Sequence, residues 1–369
     1  MEITYNDDMW RNILIFILLA GCNVSSKQAM TGPAGRNAYN VLIQETNNEQ
    51  MLLNLVRLRY GDFPFFLDVA NVTSQFTESV RAQALFPIPG FSTSNPATLG
   101  GEVGWQNIPT IQYAPLEGAE FIRHLMKPID LLHIQQLIFS GWDIDRVFRM
   151  TIQNIDELSN ARNGPFADMP PKYRRFARLC ELLKYFQDID ELTLGVETGN
   201  GKKGQTDALT GQTLEISVPL NNPNTEEIIY LLPHGKKNKG RYRIRLNIAI
   251  NQLNEIGILP RSILTMMYYL AFGIEVPKEQ MDKGWVSITY RLDGKPFDWQ
   301  EVLQGLMKVK VSKTKPKDYF VKVFYKGFWF YIDLGDIKSK RSFVLLLQLY
   351  NLQSIDAKTN APLLTIPLG

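Results

Sequence analysis

Apolar and polar positions change period several times along the chain, and each change marks an element. Ile13 to Leu19 is an unbroken apolar run that ends in Leu19-Ala20-Gly21-Cys22. It is too short to span a bilayer, which takes ~20 apolar residues. Residues 23–36 (NVSSKQAMTGPAGR) are polar and contain Gly and Pro, as a tether would. From Asn37 to Tyr60 the spacing turns helical: Tyr39, Leu42, Thr46, Leu53, Val56 and Tyr60 share a face, widened by Met51, Leu52, Leu55 and Leu58. A helix apolar on so much of its circumference is buried on more than one side in its second half. Gly61 ends it. Arg57 and Arg59 must then reach solvent or carboxylates, and Asp62 and Asp68 are the nearest. Phe65 to Phe86 alternates with period two, as does the shorter stretch Glu102 to Gln112, so both read as strands. Between them, residues 87–101 (PIPGFSTSNPATLGG) form a long Pro-, Gly- and Ser-rich loop, the first candidate for a partner contact.

Residues 117–189 return to helical spacing. Helices are predicted over Glu117 to Met126, Ile129 to Phe139, Ile144 to Leu158 and Lys172 to Ile189, with Asp143 placed to cap the third. Their short connections imply antiparallel neighbours. Beyond Asp190 the pattern predicts strands at Leu192 to Val196, Thr213 to Val218, Glu227 to Leu232 and Arg241 to Ile250. After a helix at Ser262 to Phe272, strands resume at Trp285 to Arg291 and Lys308 to Val311. Tyr319 to Tyr325 and Phe328 to Asp333 read as a hairpin turning on Lys326-Gly327. Ser342 to Leu352 closes the chain as a helix. The expected class is α+β: an N-terminal helix and strands, a central antiparallel helical segment, and a C-terminal antiparallel sheet with flanking helices. The expected division is a signal peptide at 1–21, a lipidated tether at 22–36, and two domains. One is a mainly helical domain at 37–190 with a strand and loop insertion at 65–112. The other is a mainly β domain at 191–369, with helices near 262–272 and 342–352.

The 369 residues exceed what one core readily organises, and a hydrophobic content of 45% supplies ample apolar material. Formal charge is +3; loss of residues 1–21, which hold Glu2, Asp7, Asp8 and Arg11, raises it to +5. So mild a surplus does not imply nucleic acid. Cys22 and Cys180 are the only cysteines. If Cys22 is modified, Cys180 has no intramolecular partner, and its place on an apolar helix face makes it a small core residue.

Arg11, the apolar run and the small residues before Cys22 have the order of a secretory signal. Leu19-Ala20-Gly21-Cys22 resembles the lipobox of bacterial lipoproteins, in which the thiol is acylated, the chain is cut before the cysteine and the new amine is acylated. Glu2, Asp7 and Asp8 do not suit a positive n-region, which places the start of translation at Met9. Asn23, rather than Asp, after the cysteine points to the outer membrane and its periplasmic face.

No catalytic motif emerges. His124, His133 and His234 do not fall in a zinc pattern, and no Gly-x-Ser-x-Gly elbow or papain-like cysteine segment occurs. Gly195 to Lys203 imitates a phosphate loop, yet Asn200 stands where glycine is required and Lys203 where a hydroxyl is. No metal or cofactor is expected. From Lys308 to Arg341 there are ten basic residues against Asp318, Asp333 and Asp336, interleaved with eight aromatics. Behind a secretory leader this density reads as an anionic-surface contact rather than a nucleic-acid site. Lys308, Lys310, Lys313, Lys315, Lys317, Lys322 and Lys326 are its candidates.

LLNLVRLRYGDFPFFLDVANV (52–72), YAPLEGAEFIRHLMKPI (113–129), FSGWDIDRVFRMTIQNIDEL (139–158) and RSILTMMYYLAFGIEVP (261–277) together resemble a family of uncharacterised proteobacterial outer-membrane lipoproteins. That resemblance implies the lipid anchor and adds no site. The expected role is a structural or adaptor subunit of an envelope assembly, such as a secretion or transport apparatus, with membrane and protein partners. One alternative is a glycan- or lipid-modifying enzyme using Asp143, Asp145, Asp156 or Glu157, although Asp143 and Asp145 would not face each other on a helix. Another is a carrier of a hydrophobic ligand.

Overall fold

In the computed structural model the described residues are 36–83, 100–161, 170–198, 212–248, 256–354 and 364–367. They form the expected α+β fold, with ten helices and thirteen strands in three sheets. In chain order the first elements are α1 (Arg36–Arg59), β1 (Phe66–Gln83), β2 (Gly100–Leu116), α2 (Gly118–Met126), α3 (Leu131–Phe139), α4 (Ile144–Thr151), β3 (Ile152–Ile155), β4 (Leu158–Ser159) and α5 (Arg174–Asp188). Then come β5 (Thr193–Thr198), β6 (Gln212–Pro219), α6 (Pro223–Leu231), β7 (Lys236–Asn238), β8 (Arg241–Asn247), β9 (Ile256–Pro260), α7 (Ile263–Ala271), α8 (Lys278–Asp282) and α9 (Gln300–Leu303). The last are β10 (Lys310–Ser312), β11 (Tyr319–Tyr325), β12 (Phe328–Asp333), α10 (Ile337–Ser354) and β13 (Leu364–Pro367).

The chain divides into two compact units. The smaller holds the first half of α1, most of β1 and β2, and β13, which pairs antiparallel with β2, Leu364 opposite Tyr113. The larger contains a sheet ordered β4-β3-β9-β8-β6-β5, with β7 alongside β8, and a separate sheet ordered β10-β12-β11. All its strand pairs are antiparallel except β8 with β9.

Helix α1 behaves as its pattern requires. Met51, Leu52, Leu55, Val56, Leu58 and Tyr60 are buried. Gly61, at φ +77, lets Asp62 N–H close back on the Arg57 carbonyl at 2.9 Å, while its own N–H takes the Leu58 carbonyl at 3.2 Å. One turn apart, Asn54 and Gln50 pair by side chain with the backbone of Phe65 and Leu67. Each amide donates to the carbonyl and accepts from the N–H, extending a strand-like ladder onto the helix.

Four expectations change. Glu227 to Leu232 is not a strand: α6 starts at Pro223, capped by Asn222, which accepts from Asn224 N–H at 3.0 Å, and buries Thr225, Ile228 and Leu231 on one face. The helix expected through Leu158 stops at Thr151, because Ile152 to Ile155 pairs instead with β9. Trp285 to Arg291 contributes only an isolated bridge, Tyr290 with Pro296. Asp143 occupies the N-cap position without capping: Gln187 accepts from Ile144 N–H, and the Asp143 carboxylate meets Lys184 at 3.3 Å. The leader with Cys22, the tether to residue 35, most of the 87–101 loop and Gly199 to Lys203 lie outside the described residues.

The junction where α4 hands over to β3 is organised by Arg261, which is 0% exposed. Its backbone N–H donates to the Thr151 carbonyl and its carbonyl accepts from Ile129 N–H. Its Nη1 donates to the carbonyls of Arg149 (2.9 Å), Met150 (3.3 Å) and Ile152 (3.1 Å), and Nη2 to that of Asn160. The guanidinium lies 4.0 Å over the Tyr269 ring. Burial lowers its pKa to about 10, with the nearby Tyr269 opposing. Arg261→Met would leave the Met150 and Asn160 carbonyls without the guanidinium in the interior and take a donor from the Arg149 and Ile152 carbonyls, which Asn160 also serves, and we expect a loss of about 3–5 kcal/mol. A fall in the urea midpoint followed by near-UV circular dichroism checks it; an unchanged midpoint would contradict the assignment.

Candidate functional site

The alternation of β11 and β12 sorts the basic, aromatic C-terminal region into two faces. Val321, Val323, Phe328, Phe330 and Ile332 point into the core and are buried. The opposite face runs in register across three strands: Lys310, Tyr331 and Lys322 make one row, and Ser312, Trp329 and Phe324 the next. Phe324 is 55% exposed and sits against Trp329, their ring centroids 5.2 Å apart. The turn between the strands has positive φ at both Lys326 (+45) and Gly327 (+88), matching the twist of a tight two-residue hairpin. The expected hairpin is therefore present, and its second turn position is the one that needs glycine.

The seven lysines fall into distinct environments. Lys308 meets Glu275 at 3.4 Å, Lys310 meets Asp333 at 2.8 Å, Lys313 meets Glu279 at 3.6 Å and Lys326 meets Asp62 at 3.0 Å. The Asp333 hydrogen bond raises the Lys310 pKa. Lys315, Lys317 and Lys322 have no carboxylate within ion-pair distance among the described residues. Lys322 Nζ instead lies 3.2 Å over the Tyr319 ring and Lys315 Nζ 5.7 Å from the Trp329 centroid. The sheet thus brings Lys310, Lys315 and Lys322 together around Trp329, Tyr331 and Tyr319. Lys308 lies before β10, and Lys326 sits at the turn beside Tyr60 and Tyr325.

Asp62, one of the two carboxylates nearest Arg57 and Arg59 in sequence, is hydrogen-bonded by groups far along the chain. It accepts from Tyr325 Oη and from Lys326, while Arg59 donates to the Ser287 carbonyl at 3.0 Å and faces Phe272. Burial pushes the Asp62 carboxylate up, but the Tyr325 and Lys326 hydrogen bonds and the charges of Lys326 and Arg57 outweigh it and hold it below its usual value. Burial and the bond to Asp62 drive the Tyr325 hydroxyl well above its ordinary range. Next to them Tyr60 donates to Gln280, and burial raises the Tyr60 pKa to about 12. A separation of 263 residues between Asp62 and Tyr325 left no local pattern that would have paired them.

The carboxylates considered for acid and base chemistry do not form a pair. Asp145 faces Arg149 at 3.5 Å and Asp143 faces Lys184; Asp156 sits at positive φ in the turn after β3. Among the described residues no three His, Cys, Asp or Glu side chains converge as metal ligands. Cys180 is 0% exposed, and burial pushes its thiol well above the usual value. Among the described residues no helix is long and apolar enough to cross a membrane.

Because the Asp62 pKa is depressed in the folded chain, its contribution to stability is complete above the unfolded value of ~4 and is lost as pH falls through the folded value. With its side chain 43% exposed, that contribution stays below about 1 kcal/mol. Asp62→Asn should lower stability at pH 7 and match the parent near pH 2. Denaturation at both pH values reads the difference, and a gap that persists in acid would refute the linkage.

No protein-family model matches the chain, and neither a curated protein nor a solved structure matches it.

Proposed function

We propose that this chain is a lipoprotein of the bacterial outer membrane, held at the periplasmic face through lipid on Cys22, whose folded body is an adaptor subunit of an envelope assembly. The observation that carries the reading is Leu19-Ala20-Gly21-Cys22 directly after an apolar run too short to span a bilayer. Acyl chains contribute roughly 0.8 kcal/mol per buried CH₂, and more than one is needed for stable attachment. An anchor of this kind needs no spanning helix. The lysines without carboxylate partners, beside the exposed Phe324, give the body a surface that anionic headgroups would attract. Aromatic rings among lysines suit the boundary between headgroup and acyl region. A secretion or transport apparatus is the kind of assembly meant.

Metabolic labelling with an alkyne fatty acid tests the anchor: the parent chain should label and stay with membranes through a high-salt wash, and Cys22→Ser should neither label nor survive the wash. Label retained by that variant would overturn acylation at Cys22. For the surface contact, Lys315, Lys317 and Lys322 changed together to Ser in the Cys22→Ser chain should weaken sedimentation with phosphatidylglycerol vesicles by about tenfold or more at low salt. Equal sedimentation would refute it. Recovery of the native protein from membranes as a lone monomer would count against the adaptor role.

A further inference from the structure

A second group of cations lies apart from the basic sheet face. A cleft of about 850 Å³ opens between α4, α5, the segment after α9 and the first turn of α10. That volume is in the range of small-ligand sites. Arg146 and Arg149 come from α4, Arg174 and Tyr185 from α5, and Lys338 from α10. Gly305 leaves room for the Lys338 stem, whose Cδ would stand 3.8 Å from a Cβ there.

The acidic residues lining this cleft are already answered. Asp145 faces Arg149, Glu181 faces Arg178, Asp188 faces Lys184 and Glu301 faces Arg291. Arg149 is further held by the Val302 and Gln304 carbonyls. Three cations are left: Arg146, Arg174 and Lys338 have no carboxylate within ion-pair distance among the described residues. Of the three, Arg146 is the buried one. Only 7% exposed, it spends Nη1 on the Lys338 carbonyl and Ser342 Oγ, while Nη2 makes no hydrogen bond among the described residues; its Nε lacks a partner too, as do those of Arg59, Arg243 and Arg261, none of which lines this cleft. A buried guanidinium with unspent N–H groups carries a desolvation cost that an incoming oxyanion would offset. Its planar fork suits two oxygens of one group. Burial lowers the Arg146 pKa, with Asp143 and Asp145 opposing, in keeping with a cation short of counter-charge.

We propose that this cleft binds a phosphate-bearing ligand, with the phosphate on Arg146 and the unpaired Arg174 and Lys338 at its rim. Three uncompensated cations favour a phosphate dianion over a singly charged carboxylate. The reading is independent of the lipid anchor and of the sheet surface, and its failure would leave both standing.

The full chain in detergent, titrated calorimetrically at low salt with inorganic phosphate and, at equal ionic strength, with acetate, tests it. Phosphate should bind and acetate should bind at least about tenfold more weakly, since one further charge contact is worth roughly that factor. Dihexanoyl phosphatidic acid below its micelle concentration forms the second arm: tighter binding than phosphate assigns the site to a lipid headgroup, and equal or weaker binding to a soluble phosphate compound. Arg146→Gln should abolish phosphate binding. Should that variant not fold, Arg174→Ser and Lys338→Ser still decide, because both side chains are exposed and unpaired; each should weaken phosphate about tenfold. Phosphate binding no better than acetate, or unchanged in both rim variants, would overturn the proposal.

Discussion

The Arg261 guanidinium is the interaction on which the larger unit depends. A helix that ends in the interior leaves its last carbonyls without partners, and their aligned dipoles place negative charge at that end. At the end of α4, Arg261 meets the Arg149 and Met150 carbonyls, then reaches on to Ile152 in β3 and to Asn160. Asn160 reinforces the junction by donating to the Arg149 and Ile152 carbonyls at 2.9 and 2.6 Å. The chain can therefore change from helix to strand within one residue while fully buried. Because Arg261 follows β9 and precedes α7, one side chain fixes four elements against each other.

The same solution recurs with other arginines. Arg146, Arg149 and Arg59 all donate to backbone carbonyls, at Lys338, at Val302 and Gln304, and at Ser287. Carbonyls spread the compensation over several dipoles, so a buried cation can hold its charge where a second buried ion would bring its own desolvation cost. Carboxylates are used mostly nearer the surface, in pairs such as Arg178 with Glu227 and Arg245 with Glu197. Nε is left without a partner in Arg59, Arg146 and Arg261 alike, and Arg146 is the one of the three that lines the cleft.

Local chemistry explains why some elements were readable and others were not. The α1 helix, its Gly61 stop and the Lys326-Gly327 hairpin follow from residues adjacent in sequence, and the structure has them where the pattern put them. The α6 helix carries its own local signal, the Asn222 cap and Pro223, which overrides a strand-like apolar run. The early end of α4 had no such signal, since its cause is pairing with β9, more than a hundred residues away. The basic sheet face was legible as a density of lysines and aromatics. Which lysines remain uncompensated was not, because Glu275, Glu279 and Asp62 approach from remote segments.

By itself, then, the sequence determined the α+β class, the burial of Cys180 and the two-faced C-terminal hairpin, because each depends on periodicity or turn chemistry within a few residues. It also carries the apolar run and Leu-Ala-Gly-Cys on which the proposed anchor rests. Only the tertiary structure decided that Asp62 belongs to Tyr325 and Lys326, that Arg261 closes α4, and that Arg146 lies buried beside a cleft with its Nε unpaired. Charge compensation acts through space over a few ångströms, and which charges come that close is set by packing rather than by their order along the chain.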